Sequence, residues 1–318
     1  MANNNTRKRK VQVAEKIDIK PHELVNFTRL GVRCAEVVYM TSEPKPGIMK
    51  IDKDNYMVIN TGEIKQFKKN EGKQIEYLRT TFRKLEHLIK TNFDTEENEH
   101  NALFVTLTYR ENMQDRERLL KDFDEFFKRL KYECKNHKLD YIAVAEPQAR
   151  GAWHMHMLLK SDKPVLYVDN KRMAEIWRHG FTETERIKGR DPGKYFAAYF
   201  TSLEAEGKDD PEAVYVKGPN GKKYKKGARL HFYPKGMRFY RCSRGITRPT
   251  AETSTYSTIT EEYGKPQKTS TYAVTEERTA QEAEPEAEPS SRTLSTIQRE
   301  EFRKVKSFNE HYSCRTET

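Results

Sequence analysis

Two histidines separated by one residue are the feature of this sequence most suggestive of chemistry. His154 and His156 belong to the apolar run 153–159, which follows a short loop containing Pro147 and Gly151 and is predicted to be the second strand of a hairpin. Side chains at i and i+2 of a strand project from one face, so the two imidazoles can share one cation. Without a third ligand, the pair could equally be an ordinary surface feature of a hairpin.

A carboxylate is available to complete such a site. Glu146 lies eight residues before His154, at the end of the preceding predicted strand, and a hairpin brings that strand end beside the histidines. Gln148 is the alternative third ligand. Two imidazoles with one oxygen ligand suit Mg²⁺ or Mn²⁺, with positions left open for water and phosphate. We therefore expect a divalent metal site made of His154, His156 and Glu146.

Two tyrosines one helical turn apart are the second candidate for chemistry. Tyr195 and Tyr199 lie in a stretch predicted to be helical from about residue 192 to residue 203, and side chains four apart share one face of a helix. A free phenol has a pKa of about 10, so it is a poor nucleophile at neutral pH. A nearby metal that polarises the scissile phosphate relieves this difficulty. Taken alone, such a pair is more typical of helix packing.

A basic stretch with many aromatic residues extends from Lys217 to Arg248. Cations track phosphates and rings stack on unpaired bases, so this composition favours a single-stranded nucleic acid. The alternative is a solvated basic loop followed by an ordinary strand. The side chains expected to contact nucleic acid are Lys194, Lys222, Lys223, Lys225, Lys226, Arg229 and Arg241.

The elements that must position these residues follow from hydrophobic periodicity. Apolar residues at helical spacing predict helices over 74–93, 115–135 and 171–178, and strand-like runs occur at 102–109, 141–146, 153–159 and 181–187. Strands and helices alternate, and neighbouring strands are predicted to be antiparallel. The sequence therefore predicts an α+β fold in which an antiparallel sheet is flanked by helices.

Composition restricts the class of protein. The 318 residues carry a net charge of +11, which favours a polyanionic partner such as nucleic acid or an anionic membrane surface. The four cysteines form no CxxC pair, so a disulfide framework or a structural zinc site is not expected. The first ten residues are basic without an apolar run behind them, so a signal peptide is not expected, and no run approaches the length of about 18 apolar residues of a membrane span. We expect a cytoplasmic protein that does not enter a membrane.

Three motifs, in this order, resemble those of the HUH-endonuclease replication initiators. The motifs are 104–109 (Phe-Val-Thr-Leu-Thr-Tyr), Glu146 followed by 154–156 (His-Met-His), and 195–199 (Tyr-Phe-Ala-Ala-Tyr). Over about residues 75–246 the chain is similar to the rolling-circle Rep proteins of bacterial plasmids, integrative elements and small single-stranded DNA phages. The runs 176–180 (Ile-Trp-Arg-His-Gly) and 239–244 (Phe-Tyr-Arg-Cys-Ser-Arg) also resemble that group.

The resemblance implies a nickase that acts on a hairpin-bearing single-stranded origin in a bacterial host. His154, His156 and Glu146 would hold Mg²⁺ or Mn²⁺. Tyr199, or else Tyr195, would attack the DNA backbone to give a 5′-phosphotyrosyl intermediate and a free 3′-hydroxyl. A host helicase and polymerase are implied as partners, because the chain has no ATP-binding G-x-x-x-x-G-K-[ST] motif.

The chain departs from the family pattern near the tyrosines. Many relatives have a lysine three residues after the first tyrosine and sometimes after the second, whereas this chain has Ala198 and Ser202. Lys194 or Lys188 is the alternative source of positive charge. The departure puts the two-tyrosine mechanism in doubt, but not the nicking reaction itself.

Three other classes of protein remain open. In conjugative relaxases the tyrosine usually precedes the histidine motif, and small tyrosine transposases tend to be much shorter, but both belong to the same class of enzyme. A non-catalytic single-stranded nucleic-acid-binding protein would explain the charge and the aromatic content. An RNA-directed or ribosome-associated factor is the third alternative.

Composition also predicts the domain boundaries. Residues 1–70 form a basic arm and an accessory N-terminal segment, and residues 71–248 form the nicking domain. Residues 249–290 are rich in Thr, Ser, Glu and Pro and are predicted to be a flexible linker, with a hairpin within 256–274 as the alternative. Apolar residues within 294–305 predict a helical segment over 291–318. The C-terminal tail would then be partly disordered.

Overall fold

The chain divides into two units, and the unit that carries the histidines is inserted into the sequence of the other. The central unit is Glu71–Arg248, and the flanking unit combines Met1–Asn70 with Pro249–Thr318. The central unit has 36 lysines and arginines against 27 aspartates and glutamates, so +9 of the net charge of +11 belongs to it. The computed structural model describes residues 8–42, 48–52, 55–59, 61–66, 73–93, 98–148, 150–187, 193, 203–204, 215–217, 223–225, 232–234, 236–277 and 291–304.

The described elements are seventeen strands and four helices. In chain order they are β1 (Lys8–Val13), β2 (Leu24–Leu30), β3 (Cys34–Met40), β4 (Ile48–Lys50), β5 (Asn55–Val58), β6 (Ile64–Gln66), α1 (Lys73–Asn92), β7 (Ala102–Thr108), α2 (Arg116–Glu133), β8 (Leu139–Pro147), β9 (Trp153–Ser161), α3 (Asn170–Trp177), β10 (Thr182–Arg186), β11 (Leu203–Glu204), β12 (Tyr215–Lys217), β13 (Lys223–Lys225), β14 (Tyr240–Cys242), β15 (Thr250–Thr255), α4 (Tyr256–Tyr263), β16 (Lys268–Glu277) and β17 (Ser291–Arg303). The sheets are antiparallel, so the prediction of an α+β fold is confirmed. Among the described helices, none is both long enough and apolar enough to cross a membrane.

A five-stranded antiparallel sheet in the order β10-β7-β9-β8-β14 forms the middle of the central unit. Strands β8 and β9 form the hairpin expected from the sequence, with Glu146 opposite His154. Strand β7 lies on the other side of β9 and places Thr106 opposite His156. Because cross-strand partners share a face, both histidines, Glu146 and Thr106 lie on one face of the sheet.

Helix α1 packs on the histidine face of this sheet. Lys160 of β9 is four residues from His156 in the same strand, so it lies on the histidine face of the sheet. Its Nζ lies 3.1 Å from Oδ1 of Asn92, in the last turn of α1. Apolar residues of α1 at a spacing of three and four are buried, and Phe82 stacks on Phe239 with ring centroids 4.2 Å apart. The helix thus contacts the residue directly before β14.

Helices α2 and α3 flank the sheet, and α2 lies on the opposite face. Helix α2 begins at the N-cap Asp115, whose side chain accepts hydrogen bonds from the first turn of the helix. Its Phe123 packs edge-on against Tyr141, which lies opposite Leu159 and therefore on the face away from the histidines. Asp169 caps α3 in the same way.

In the flanking unit, six antiparallel strands pair in the order β1-β16-β17-β3-β2-β15. Its apolar core brings α4 together with β2, β3 and β17. Two polar side chains of β17, Gln298 and Glu300, are fully buried. The side chain of Gln298 bonds both the N–H and the carbonyl of Ile17, and Tyr256 donates to Glu300 at 2.8 Å. These bonds satisfy polar groups that would otherwise be costly to bury.

Two predictions for the C-terminal part of the chain are wrong. Residues 250–277 form β15, α4 and β16, so they are not a flexible linker. The alternative, a hairpin within 256–274, is also wrong, because its first half is the helix α4 and only its second half belongs to a strand. Residues 291–303 are a strand and not a helix. The buried residues alternate along this strand at 298, 300 and 302, but two of the three are polar. The spacing of the apolar residues alone therefore did not show the two-residue period of a strand. Residues 278–290 and 305–318 lie outside the described residues.

Candidate metal centre

Glu146, His154 and His156 come together at the adjoining ends of β8 and β9. Oε2 of Glu146 lies 2.5 Å from Nε2 of His156 and 4.0 Å from Nδ1 of His154. One ligand atom from each residue can be chosen so that all three lie within 4.8 Å of one another. Glu146 and His156 are almost completely buried, whereas the His154 side chain is 15 % exposed. His154 is therefore the most exposed of the three residues.

Strand β7 holds the ring of His156 from the other side. Oγ1 of Thr106 lies 3.1 Å from Nδ1 of His156, while the Phe104 ring is nearly parallel to the imidazole, with an interplanar angle of 6° and centroids 5.6 Å apart. Phe104 and Thr106 belong to the first family-like motif, to which the sequence alone assigned no chemical role. The structure shows that this motif contacts the histidine strand.

Both the amide oxygen and the amide nitrogen of Gln148, the alternative third ligand, have hydrogen-bonding partners. Nε of Arg150 donates to Oε1 of Gln148 at 3.1 Å, and Nε2 of Gln148 lies 3.1 Å from Nδ1 of His154. An arginine only donates hydrogen bonds, so the atom facing it must be the amide oxygen. The amide nitrogen, which is not a metal ligand, therefore faces His154. This orientation favours Glu146 over Gln148 as the oxygen ligand.

The end of β7, next to His154, is supported by the turn after α3. Nε1 of Trp177 donates to the carbonyl of Thr108 at 3.0 Å, and Arg110 N donates to the carbonyl of His179 at 3.0 Å. A Cβ atom at Gly180 would lie only 2.1 Å from the Thr108 carbonyl oxygen, so only glycine fits this approach. Thr108 is the cross-strand partner of His154. The run 176–180 thus supports the strand that neighbours the histidines.

A buried tyrosine near this turn does not have the character of a nucleophile. Tyr109 donates to Oδ2 of Asp122 at 2.9 Å, and burial followed by this bond raises the pKa of its phenol far above the ordinary value. Arg118 and His179 lie around the same carboxylate, at 3.4 Å and 3.7 Å. Sequence reasoning missed this cluster, because its members are brought together only by the packing of α2 and α3.

The structure does not bring every predicted nucleic-acid contact to the histidines. Arg241 lies opposite Ala143, which in turn lies opposite Met157, the neighbour of His156 that faces the other side of the sheet. Arg241 also makes an ion pair with Asp124 of α2 at 2.9 Å. It therefore lies on the face away from the candidate metal centre. Strand β13 contains Lys223 and Lys225. Tyr195, Tyr199, Lys194, Lys222, Lys226 and Arg229 lie outside the described residues.

Comparison with known proteins links this part of the chain to DNA replication. Residues 102–204 match the family model whose description begins with Replication-associated protein ORF2. The match covers about a third of the 318 residues, and it includes Glu146 and both histidines. It agrees with the resemblance to rolling-circle Rep proteins and supports a replication role with DNA as the partner. No curated protein and no solved structure matches the chain.

Proposed function

We propose that this protein initiates rolling-circle replication by nicking single-stranded origin DNA with a tyrosine and a divalent metal. The observation that carries the proposal is the grouping of Glu146, His154 and His156, whose ligand atoms lie within 4.8 Å of one another. This grouping falls inside the range that matches the replication-associated family. The candidate metal ligands thus lie in the part of the chain that is linked to replication.

The donor set fits Mg²⁺ or Mn²⁺. Two imidazole nitrogens and one carboxylate oxygen provide three ligands, which leaves coordination positions for water and a phosphate oxygen. A bound divalent ion supplies charge that polarises the scissile phosphate and stabilises the leaving 3′-oxygen. Because His154 is the partly exposed member of the set, we assign the DNA side of the site to it. Glu146 and His156 form its buried side.

The tyrosines enter the proposal through the position of Gly193. A Cβ atom on Gly193 would lie 2.8 Å from the carbonyl oxygen of Glu86, so this residue packs against α1, which covers the histidine face. Tyr195 follows two residues later, and each residue adds at most about 3.8 Å between Cα atoms. The nucleophile candidates Tyr199 and Tyr195 thus follow a residue that packs against the helix on the same side of the sheet as the metal ligands.

In the proposed reaction a tyrosine oxygen attacks the phosphorus atom. The new O–P bond forms as the bond from phosphorus to the 3′-oxygen breaks. The phenolic proton passes to water, and the leaving 3′-oxygen takes up a proton to become the free hydroxyl. The 5′-phosphate stays on the tyrosine. The segment 213–248 contains eleven lysines and arginines and no aspartate or glutamate, which suits it to neutralise the DNA backbone.

The test is cleavage of a single-stranded origin oligonucleotide by the full chain with Mn²⁺ or Mg²⁺. We expect a free 3′-hydroxyl and a protein-linked 5′ end. Tyr195→Phe and Tyr199→Phe, made singly and together, identify the nucleophile. The proposal fails if the double tyrosine variant, or a His154→Ala and His156→Ala double variant, cleaves like the parent protein.

A binding-only function is the second candidate, and the concentration of charge in the central unit favours it. EDTA-treated protein would then bind single strands, and no added metal would produce cleavage. Within the nicking class, the position of the tyrosines after the histidines favours an initiator over a relaxase. An origin sequence with a hairpin close to the gene would support the initiator.

A further inference from the structure

We propose that Thr106 is a positioning residue that fixes the ring of His156 for metal binding. The inference rests on the proposed metal centre, and it assigns a role to the motif 104–109, which the proposed reaction leaves unused. Thr106 would touch neither the metal nor the DNA. It would act only through His156.

The geometry leaves the imidazole of His156 little freedom. Its side chain is fully buried, and Oγ1 of Thr106 lies 3.1 Å from Nδ1 on one edge of the ring. On the opposite edge, Nε2 faces Oε2 of Glu146 at 2.5 Å. Phe104 lies nearly parallel to the ring plane, with ring centroids 5.6 Å apart, and packs beside the imidazole. The Nδ1 edge is therefore held by Thr106, and the Nε2 edge is directed at the candidate metal position.

A hydroxyl is chemically suited to this position because it can both donate and accept a hydrogen bond. When Nε2 of a neutral imidazole binds a metal, Nδ1 carries the proton and needs an acceptor. When Nε2 carries the proton and donates to Glu146, Nδ1 needs a donor. Thr106 serves both states without moving. A backbone carbonyl or a carboxylate could serve only the first of them.

His154 is held in a different way. The amide nitrogen of Gln148, a half-buried residue just after β8, faces its Nδ1. That contact comes from a flexible side chain, whereas Thr106 is a β-branched residue within a paired strand and has restricted rotation about χ1. His156 is therefore the pre-organised ligand of the pair, and its loss of orientation should weaken metal binding.

The test measures Mn²⁺ binding to the full-length protein by calorimetry, for the parent and for three variants. Thr106→Val keeps the shape but removes the hydroxyl, and Thr106→Ser restores the hydroxyl. Loss of such an outer contact typically weakens metal affinity about 10–100-fold, so we expect a loss of that size for Thr106→Val and near-parent affinity for Thr106→Ser. Thr184→Val is the matched control, because the Thr184 hydroxyl is buried in the same sheet without a hydrogen-bond partner among the described residues.

The outcomes separate this inference from the proposed function. Parent-like affinity in Thr106→Val overturns the role of Thr106. A parent protein that binds no Mn²⁺ overturns both the role of Thr106 and the metal centre. If Mn²⁺ binding follows the hydroxyl but the parent protein does not nick single-stranded DNA, the positioning role stands and the nicking function fails. Should Thr106→Val not fold, as judged by thermal unfolding in EDTA, Thr106→Ala takes its place with the same expected loss and the same rescue by serine.

Discussion

The carboxylate of Glu146 meets the ring of His156, although its direct cross-strand partner is His154. The Oε2 atom lies 2.5 Å from Nε2 of His156 but 4.0 Å from Nδ1 of His154. Diagonal neighbours in a sheet are within reach of long side chains, and a glutamate has that length. The carboxylate thus lies close to both imidazoles, and residues of one hairpin form the candidate three-ligand site.

Glu146 should be required for metal binding, whereas Gln148 should not. Glu146→Gln removes the anionic oxygen ligand, and we expect Mn²⁺ affinity to fall at least about tenfold. Gln148→Ala should leave the affinity close to that of the parent, because the amide presents nitrogen to His154 and oxygen to Arg150. Electron paramagnetic resonance of free Mn²⁺ measures the affinity of both variants. The reverse pattern, with binding lost only in Gln148→Ala, would make Gln148 the ligand.

The lysine-rich segment should contribute strongly to the salt dependence of DNA binding. For single strands, log K falls with log salt by about 0.7 for each phosphate neutralised. Replacing Lys222, Lys223, Lys225 and Lys226 with alanine should therefore reduce the slope by up to about 3. Fluorescence anisotropy with a labelled single-stranded oligonucleotide at several salt concentrations gives the slope.

A matched set of lysines provides the control for this experiment. Lys121, Lys128, Lys131 and Lys135 lie on or just after α2, which packs on the face away from the histidines. Their replacement with alanine removes the same charge and should leave the slope close to that of the parent. If both sets change the slope equally, DNA binding depends on net charge alone and the segment is not a binding site.

Gly180→Ala should destabilise the central unit and weaken metal binding. The added methyl group would lie 2.1 Å from the Thr108 carbonyl oxygen and 2.7 Å from Arg110 N, so backbone must shift. Overpacking of this kind costs about 1–3 kcal/mol, and occasionally more. Because Thr108 pairs with His154, the shift should also lower Mn²⁺ affinity. Urea unfolding and Mn²⁺ titration measure the two effects.

Gly62→Ala is the control for this prediction. Gly62 has a φ of +68° and nothing within 4 Å of an added Cβ, so only the backbone conformation is penalised, by about 1–2 kcal/mol. Since Gly62 belongs to the flanking unit, its substitution should leave Mn²⁺ affinity unchanged. Equal Mn²⁺ affinities in the parent and in Gly180→Ala would show that the turn after α3 does not support the histidine strand.

Glu262 should make the stability of the flanking unit depend on pH in the acid range. A hydrogen bond from Arg29, and then one from Lys304, lowers the pKa of this carboxyl from 4.5 to about 2. Because the pKa in the folded state lies below the unfolded value, the contribution is fully present above pH 4.5 and is lost as the pH falls towards 2. Partial exposure limits it to about 1 kcal/mol.

Thermal unfolding of Glu262→Gln across pH checks this prediction. The Tm of the variant should lie below that of the parent at pH 7, and the difference should shrink between pH 4.5 and pH 2. Asp18→Asn is the control, because Asp18 pairs with Lys20 in a fully exposed position and should not change the Tm. A Tm difference that is constant with pH would mean that the carboxylate charge contributes nothing.

The sequence predicted the grouping of Glu146, His154 and His156 because these residues are close together in the chain. Only a short turn separates Glu146 from His154, and a hairpin with a short loop fixes the register of its strands. Thr106 lies 50 residues before His156, and its contact exists only because β7 pairs with β9. Nothing in the local pattern around Thr106 indicates that pairing. Contacts within one hairpin were predictable, and contacts across the sheet were not.

The C-terminal strands show a second limit of local patterns. Strand β17 pairs with β3, with Phe302 opposite Ala35. Its buried Gln298 and Glu300 are polar, and polar residues are usually expected at the surface. Their burial is possible because they bond to Ile17 and Tyr256, which are distant in the sequence. Burial of polar groups depends on such distant partners. Periodicity of apolar residues therefore misidentified an interior strand as an amphipathic helix.

The insertion of the central unit into the flanking unit sets an order of assembly on the ribosome. The whole central unit, Glu71–Arg248, is synthesised before β15, β16 and β17 exist. Strand β1 and one edge of β3 cannot pair until β16 and β17 exist, because these two strands lie between them in the sheet. A message truncated after residue 248 would yield a complete central unit attached to strands with bare edges. Unpaired edges can pair with other chains, so we expect such a truncated protein to aggregate more readily than the full chain.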